Sequence, residues 1–437
     1  MSDSIVPQDT ELPRDASPGA LDRLARKLLL ARLAKLRHGR LTLADGGERH
    51  TFGDTATFPL EATLTVHHPT FYGAIVFGGT LGAGESYMAG AWTTDDLTAV
   101  IRIIVRNRDV LEAVDSALTR LVSVPLQKLF HALHRNTPAG SRANIAAHYD
   151  LGNDFYRLFL DDTLTYSCAI FERPDSTLRE ASVAKYDRLC RKLGLRPDHH
   201  VLEIGTGWGG FALHAAATYG CRITTTTISK EQFDLASQRV EQAGLADRVE
   251  LLLADYRDLA GQFDRLVSIE MIEAVGHQYM ETYFRCCADR LKPDGMMALQ
   301  AITILDQVYD RHIGEVDFIK RHIFPGSCIP SVAAMTRAVA RATDLKLVHL
   351  EDITPHYATT LRRWRERFFA NIEGVRALGF GDVFIRMWDF YLSYCEGGFA
   401  ERYIGDVHMV LAKPLCRAAP ILPPLAPPGP TGGSDGI

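Results

Sequence analysis

The chain has 437 residues, 46% of them hydrophobic and 23% charged, and a formal net charge of −5. That length admits two domains, the composition excludes a fibrous or wholly disordered chain, and the acidic balance argues against nucleic acid as a bulk partner. Eight cysteines with no C-x-x-C pair and no zinc-like spacing predict free thiols, no metal site and a reducing, cytoplasmic setting.

The opening residues, MSDSIVPQDTELPRD, lack the basic and apolar regions of a secretory signal, and no apolar run approaches the roughly 18 residues a spanning helix needs. From Ala20 to Arg40 the text ALDRLARKLLLARLAKLRHGR has leucines near helical spacing, with Gly39 placed to stop the helix. Seven basic residues crowd this helix against one acid, Asp22. Two readings stay open: a helix packed on its own domain with a solvated basic face, or a peripheral contact with an anionic membrane surface. Leu41 to Trp92, rich in Thr, Val, Phe and Gly with turn signals such as DGG, predicts a small β-containing unit. Helical patterns follow from Leu97 to about Leu133, and HRNTPAGSRAN reads as a linker. These elements make residues 1–140 an α+β, lipid-associating N-terminal domain.

From His200 onward, apolar runs alternate with helical stretches. HVLEI, RITTTT, VELLLA, RLVSIE and MMALQAIT read as strands, and GGFALHAAATY, KEQFDLASQRVEQAG and QYMETYFRCCADRLK as helices between them. This is the βαβ rhythm of a doubly wound, Rossmann-like α/β sheet, closed by YIGDVHMVLAK and spanning residues 141–413. Residues 414–437, dense in Pro and Gly, predict a disordered tail.

Within this domain VLEIGTGWGG, Val201 to Gly210, satisfies G-x-G-x-x-G. A dinucleotide site needs a ribose-binding acid about twenty residues further on, yet the second strand ends in Thr224 to Thr227. Trp208 is also ill placed in a tight phosphate turn. A nucleoside with a charged, phosphate-free tail fits better: Glu203 could meet an ammonium group or order the loop, and the glycines let the backbone approach a carboxylate and a sulfonium. S-adenosylmethionine has that inventory.

Several stretches resemble the cyclopropane-fatty-acyl-phospholipid synthase family, which shares its catalytic domain with the mycolic acid cyclopropane synthases. They are AAHYDLGNDFYRLFLDDTLTYSCAIFE, VLEIGTGWGGFA, TTISKEQ, LADYRDL, EMIEAVGHQYM, IFPGSCIPS, PHYATTLRRW and YLSYCEGGFAERYIGDVHMVL, with a match in the first domain at GAGESYMAGAW. The resemblance implies a class I methyltransferase fold. It implies that Tyr166, Ser167, Gly205, Gly207, Thr227, Ile228, Ser229 and Gln232 line an S-adenosylmethionine site, and that Asp255 and Tyr256 take the adenine. The alternative for Tyr256 is a core aromatic.

The reaction implied is methyl transfer to a cis double bond in an acyl chain of an unsaturated phospholipid, followed by loss of a proton that closes a cyclopropane. An alkene has no proton to remove before attack, so no Ser-His or Cys-His nucleophile is required, and none is evident. The base implied is a bound bicarbonate, held by Glu273, Tyr357 and backbone groups at Cys168 and Ile302. Glu273 can also be a helix N-terminal acid balancing the dipole. Where the family usually has a bicarbonate-binding histidine, this chain has Gln300, which donates but does not titrate. Rival readings are a relative that leaves a methyl or methylene branch or methylates a diene, a small-molecule N- or O-methyltransferase, and a non-catalytic lipid-binding protein. A homodimer is the expected assembly.

Overall fold

The structure, a computed structural model, describes residues 18–109 and 151–422. The leader, the helical patterns beyond residue 109, the linker, the boundary at residue 140 and the tail after residue 422 lie outside the described residues.

The first unit is a four-stranded sheet covered by helices. Strand β1 (Gly39–Asp45) turns through Gly46 and Gly47, both with positive φ, into antiparallel β2 (Glu48–Asp54). Parallel to β1 runs β3 (Glu61–Val66), which pairs with β4 (Trp92–Thr94), giving the order β2-β1-β3-β4. The basic helix spans Ala20–Leu33 and stops short of the predicted end. Gly39, expected to terminate it, instead opens β1, where a Cβ would come within 2.8 Å of Ile103.

Residues Thr70–Met88, read from sequence as part of the β unit, are a helix broken at Gly79 (φ 56°, ψ −138°). The pattern misled because this helix is apolar or glycine over nearly all its length, with Glu85 its one charged residue, and so shows no polar face. It is wedged between Ala20–Leu33 and the Asp382–Ala400 helix of the second unit. A Cβ at Gly84 would sit 2.3 Å from Phe318, and one at Gly397 would sit 2.6 Å from Ile101 of the Leu97–Arg106 helix. Glycine lets the units approach this closely, and one hydrophobic cluster runs through both.

The second unit holds β5 (His200–Ile204), β6 (Arg222–Thr227), β7 (Val249–Leu253), β8 (Phe263–Ile269), β9 (Leu291–Ile304), β10 (Lys346–Asp352) and β11 (Ile404–Ala412), in the order β10-β11-β9-β8-β5-β6-β7. β5 to β9 are the strands read from sequence, and they pair in parallel. The closing strand β11 departs from the parallel expectation: it is antiparallel to both β9 and β10. It lies between β10 and β9, paired on both edges, and its side chains are buried along most of its length. Helices Asn153–Phe159, Thr354–Ala370 and Asp382–Ala400 cap the carboxyl end of the sheet with interlocked aromatic rings, Phe155 and Trp388 among them 4.9 Å apart. No helix of the described residues is long and apolar enough to cross a membrane.

Candidate active site

The strand order reverses at β5, which has β6 on one side and β8 on the other. Ligands of open α/β sheets bind outside the strands' carboxyl ends at such a point. The glycine loop occupies it. Gly205, Gly207 and Gly209 have φ of 99°, 52° and 85°, a region side chains disfavour. Gly210 serves packing instead, since a Cβ there would lie 2.4 Å from the Tyr186 hydroxyl. Trp208, which looked misplaced, turns inward: its indole N–H donates to Asn153 at 2.7 Å and its ring lies 4.9 Å from Tyr156.

Around the loop the polar groups have defined roles. Glu203 is buried and accepts from the Thr225 hydroxyl at 2.6 Å, and burial pushes its carboxyl up to about 8. Thr227 donates to the amide oxygen of Gln232 at 2.9 Å, so Gln232 presents its NH2 end. Ser229 caps the following helix, and its hydroxyl accepts from the Gln232 N–H. Asp255 is gripped by the Arg257 guanidinium at 2.6 and 2.8 Å. Ser167 accepts from Lys185 at 2.6 Å, a lysine fully buried in the Leu178–Leu193 helix and held below its ordinary range by that burial. A positive-φ loop, neutral hydrogen-bonding groups and acids flanking it fit S-adenosylmethionine, which Gly205, Gly207, Thr227, Gln232 and Asp255 would hold.

One cavity of about 1020 Å³ joins this loop to the N-terminal unit. Tyr166, Ser167, Gly205, Gly207, Thr227, Ile228, Gln232, Asp255, Tyr256, Glu273, Ile302 and Tyr357 all line it, while Ser229, Cys168 and Gln300 stand behind its wall. Its far side carries apolar side chains of the first unit, Leu29, Leu64, Phe71 and Ile75, alongside Arg32 and Arg108 of the same unit.

Between loop and apolar wall lies a group the sequence reading passed over. Glu270 follows β8 with φ 47° and its N–H bonds to Gln300 O at 2.8 Å. Its Oε1 accepts from the Cys168 N–H at 2.8 Å and from Gln300 Nε2 at 2.7 Å, and its Oε2 accepts from the Tyr357 hydroxyl at 2.6 Å. Burial, reinforced by Glu270, holds the Tyr357 phenol well above its usual value, so it remains a donor. Glu273 accepts from the Ile302 N–H at 2.6 Å, and its buried Oε2 has no partner. Burial first, then Glu270, pushes Glu273 up to about 8. Asp406 on β11 is raised well above the carboxylate range by the same two causes.

Cys168, Tyr357 and Gln300 thus donate to Glu270, where the resemblance had them meet an exogenous anion. Bicarbonate does not fit this arrangement, because a carboxylate of the chain itself holds its donors. The Cys168 thiol is buried and pushed well above its usual value, chiefly by that burial, so it is no nucleophile. Glu270 stood inside the quoted motif EMIEAVG, and its position one residue past a buried strand was the available signal. Lys185, Arg257, Asp406 and His408 gave none, since each lies in ordinary helix, turn or strand text.

The chain matches the family described as mycolic acid cyclopropane synthetase over residues 136–409. It is 39% identical over 412 residues to the tuberculostearic acid methyltransferase UfaA1 of Mycobacterium tuberculosis, a match covering 92% of this chain and 93% of that one. It is 37% identical over 357 residues to the cyclopropane-fatty-acyl-phospholipid synthase of Escherichia coli K12, covering 80% and 88% respectively. The crystal structure of mycolic acid cyclopropane synthase CmaA1 complexed with SAH and CTAB is similar with a TM-score of 0.58 at 34% identity, covering 62% of this chain and 98% of that one.

Proposed function

The chain belongs to the mycolic acid cyclopropane synthetase family and is an S-adenosylmethionine-dependent methyltransferase, and on that footing we propose that its acceptor is the cis double bond of an unsaturated acyl chain in an intact phospholipid, with a cyclopropane as product. The observation that carries this is the single cavity running from the glycine loop to apolar side chains of the first unit. At about 1020 Å³ it lies at the upper end of the roughly 300–1,000 Å³ typical of small-molecule pockets, and its apolar end suits a hydrocarbon chain.

When bound, S-adenosylmethionine supplies an electrophilic methyl at its sulfonium. The chain's own groups then hold the alkene in a dry site and tolerate the carbocation that forms on the hydrocarbon chain. Tyr166, Tyr357 and Tyr391 line the cavity with aromatic faces, each of which attracts a desolvated cation by up to about 2 kcal/mol. Loss of a proton from the added methyl closes the ring. Bicarbonate has no part in this proposal, because Glu270 holds its donors.

A second outcome, a methyl or methylene branch, is favoured by the similarity to a tuberculostearic acid methyltransferase across 92% of the chain. The same first steps serve both.

The proposal includes peripheral docking on an anionic bilayer. Leu21, Leu24 and Leu28 form one row of the basic helix and are 62%, 52% and 39% exposed, with Phe77 beside them at 44%. Exposed Arg23, Lys27 and Lys35 flank that row. Arg26 contributes less, being bound to Glu48 at 2.6 Å and Asp45 at 3.3 Å.

The test is to incubate the purified chain with methyl-labelled S-adenosylmethionine and vesicles of a monounsaturated phospholipid, then analyse the lipids by mass spectrometry. Label in the acyl chain supports the proposal. Label confined to the head group, or absent from lipid, overturns it.

A further inference from the structure

Methyl transfer to an alkene leaves a cation that is quenched only when a base removes a proton, and the base must stand where water is kept out. Several carboxyl groups line the cavity, and their settings differ. Asp255 is bound on both oxygens by Arg257. Glu203 sits behind the glycine loop, and both it and Glu273 are pushed up to about 8 by burial. Asp317, at the far end, is raised by burial and accepts from the Lys320 N–H. Glu270 alone among these lies between the loop and Tyr357 with three donors on its two oxygens.

Those donors come from three elements distant in sequence: the segment before the Leu178–Leu193 helix, strand β9, and the Thr354–Ala370 helix. A surface carboxylate does not recruit such a cradle. Glu270 also holds φ 47°, a backbone conformation that side chains rarely adopt and that concentrates at functional sites. Removing the side chain would ease the backbone, so the fold tolerates this residue for what its carboxylate does.

Resting on the acceptor proposed above, we propose that Glu270 is the catalytic base, a carboxylate built into the chain in place of a bound anion. The S–C bond breaks with its electron pair going to sulfur. The alkene pair forms the new C–C bond, and the acyl chain becomes a cation. An oxygen of Glu270 then takes a proton from the added methyl, and the released C–H pair closes the third side of the ring. If a hydride first shifts from the methylated carbon to its neighbour, removal of a proton from the same methyl gives an exocyclic methylene. In either case Glu270 ends as a neutral acid, and its proton returns to solvent after the product leaves.

The test compares the full-length wild type with Glu270→Gln and Glu270→Gly in buffer stripped of carbon dioxide, with and without added bicarbonate. Glycine suits a positive φ, so Glu270→Gly keeps the backbone while opening the cradle. The wild type is expected to turn over equally with and without bicarbonate. Both variants are expected to bind S-adenosylhomocysteine as the wild type does and to lose roughly a hundredfold or more in product formation. Added bicarbonate should restore Glu270→Gly, and NMR of isotope-labelled bicarbonate should detect binding to that variant and not to the wild type. Dependence of the wild type on bicarbonate overturns the proposal, as does wild-type activity in Glu270→Gln, or a Glu270→Gly enzyme that bicarbonate neither binds nor revives. A wild type that methylates no unsaturated lipid in any buffer overturns the acceptor instead, and that result is read before any variant is made.

Discussion

His408 Nε2 lies 3.0 Å from the amide oxygen of Gln300, while the other ring nitrogen lies 3.0 Å from Lys192 Nζ. An ammonium only donates, so His408 accepts at Nδ1 and donates at Nε2, and Gln300 must turn its NH2 toward Glu270. Burial, with Lys192 beside it, keeps His408 well below its ordinary range and therefore neutral. Glu351, bound by Lys192 and Arg188, anchors the far end of this line.

From this follows a graded loss along the line. Gln300→Leu removes a donor to Glu270 and should lower product turnover by about one to two decades, the worth of a hydrogen bond to a charged group at roughly 1.5–3 kcal/mol. His408→Ala acts only through the orientation of Gln300 and should cost about tenfold. Steady-state kinetics on both variants and the double variant check this: if the line is real, the double variant is no worse than Gln300→Leu, and S-adenosylhomocysteine affinity is unchanged throughout.

Binding of the cationic cosubstrate should release a proton at neutral pH. Glu203 rises from its ordinary 4.5 to about 8 on burial, so it takes up a proton on folding and the fold loses stability as pH rises through that window. A cation beside Glu203 favours its ionised form. Affinity for S-adenosylmethionine should therefore climb between about pH 6 and 8 and level off above. Calorimetry in buffers of differing ionisation enthalpy measures the released proton, and Glu203→Gln should abolish the release.

The basic helix should hold the protein on anionic vesicles in a salt-dependent way. Replacing Arg23, Lys27 and Lys35 with Gln should remove about 1 kcal/mol each at low ionic strength, and replacing Leu21, Leu24 and Leu28 with Ser should weaken binding at every salt concentration. Arg26→Gln should matter little for vesicles, since that side chain is held by Asp45 and Glu48. Vesicle co-sedimentation across a salt series separates these effects.

The two units should unfold together. Gly84→Val places side-chain atoms where a Cβ alone would be 2.3 Å from Phe318, and such overpacking costs about 1–3 kcal/mol. A single thermal transition, shifted downward in that variant, is the expected outcome by calorimetry.

Much of this was legible in the sequence, for physical reasons that also explain the omissions. β5, β8 and β9 carry buried apolar runs, β6 and β7 are short β-branched or apolar runs spaced by helices, and the loop after β5 carries its own spelling. β10 escaped notice because it is an edge strand whose residues alternate between exposed and half-buried. The Thr70–Met88 helix escaped because its residues are apolar or glycine on nearly every face, so no polar stripe marks a helical period. Glu270 escaped because its meaning lies in register: Ile269 pairs with Gln300, and Gln300 pairs in turn with His408. No local pattern records a cradle assembled from Cys168, Gln300 and Tyr357.

The most direct measurement uses S-adenosylmethionine carrying a fully deuterated methyl, with a monounsaturated phospholipid as acceptor. Transfer to the double bond followed by proton loss from the new methyl leaves two of its three deuteriums in the acyl product, as a ring or a methylene, and that is the expected mass. An acyl product retaining all three deuteriums would contradict removal of a proton from the added methyl by Glu270, and label found only on the head group would contradict methyl transfer to the alkene.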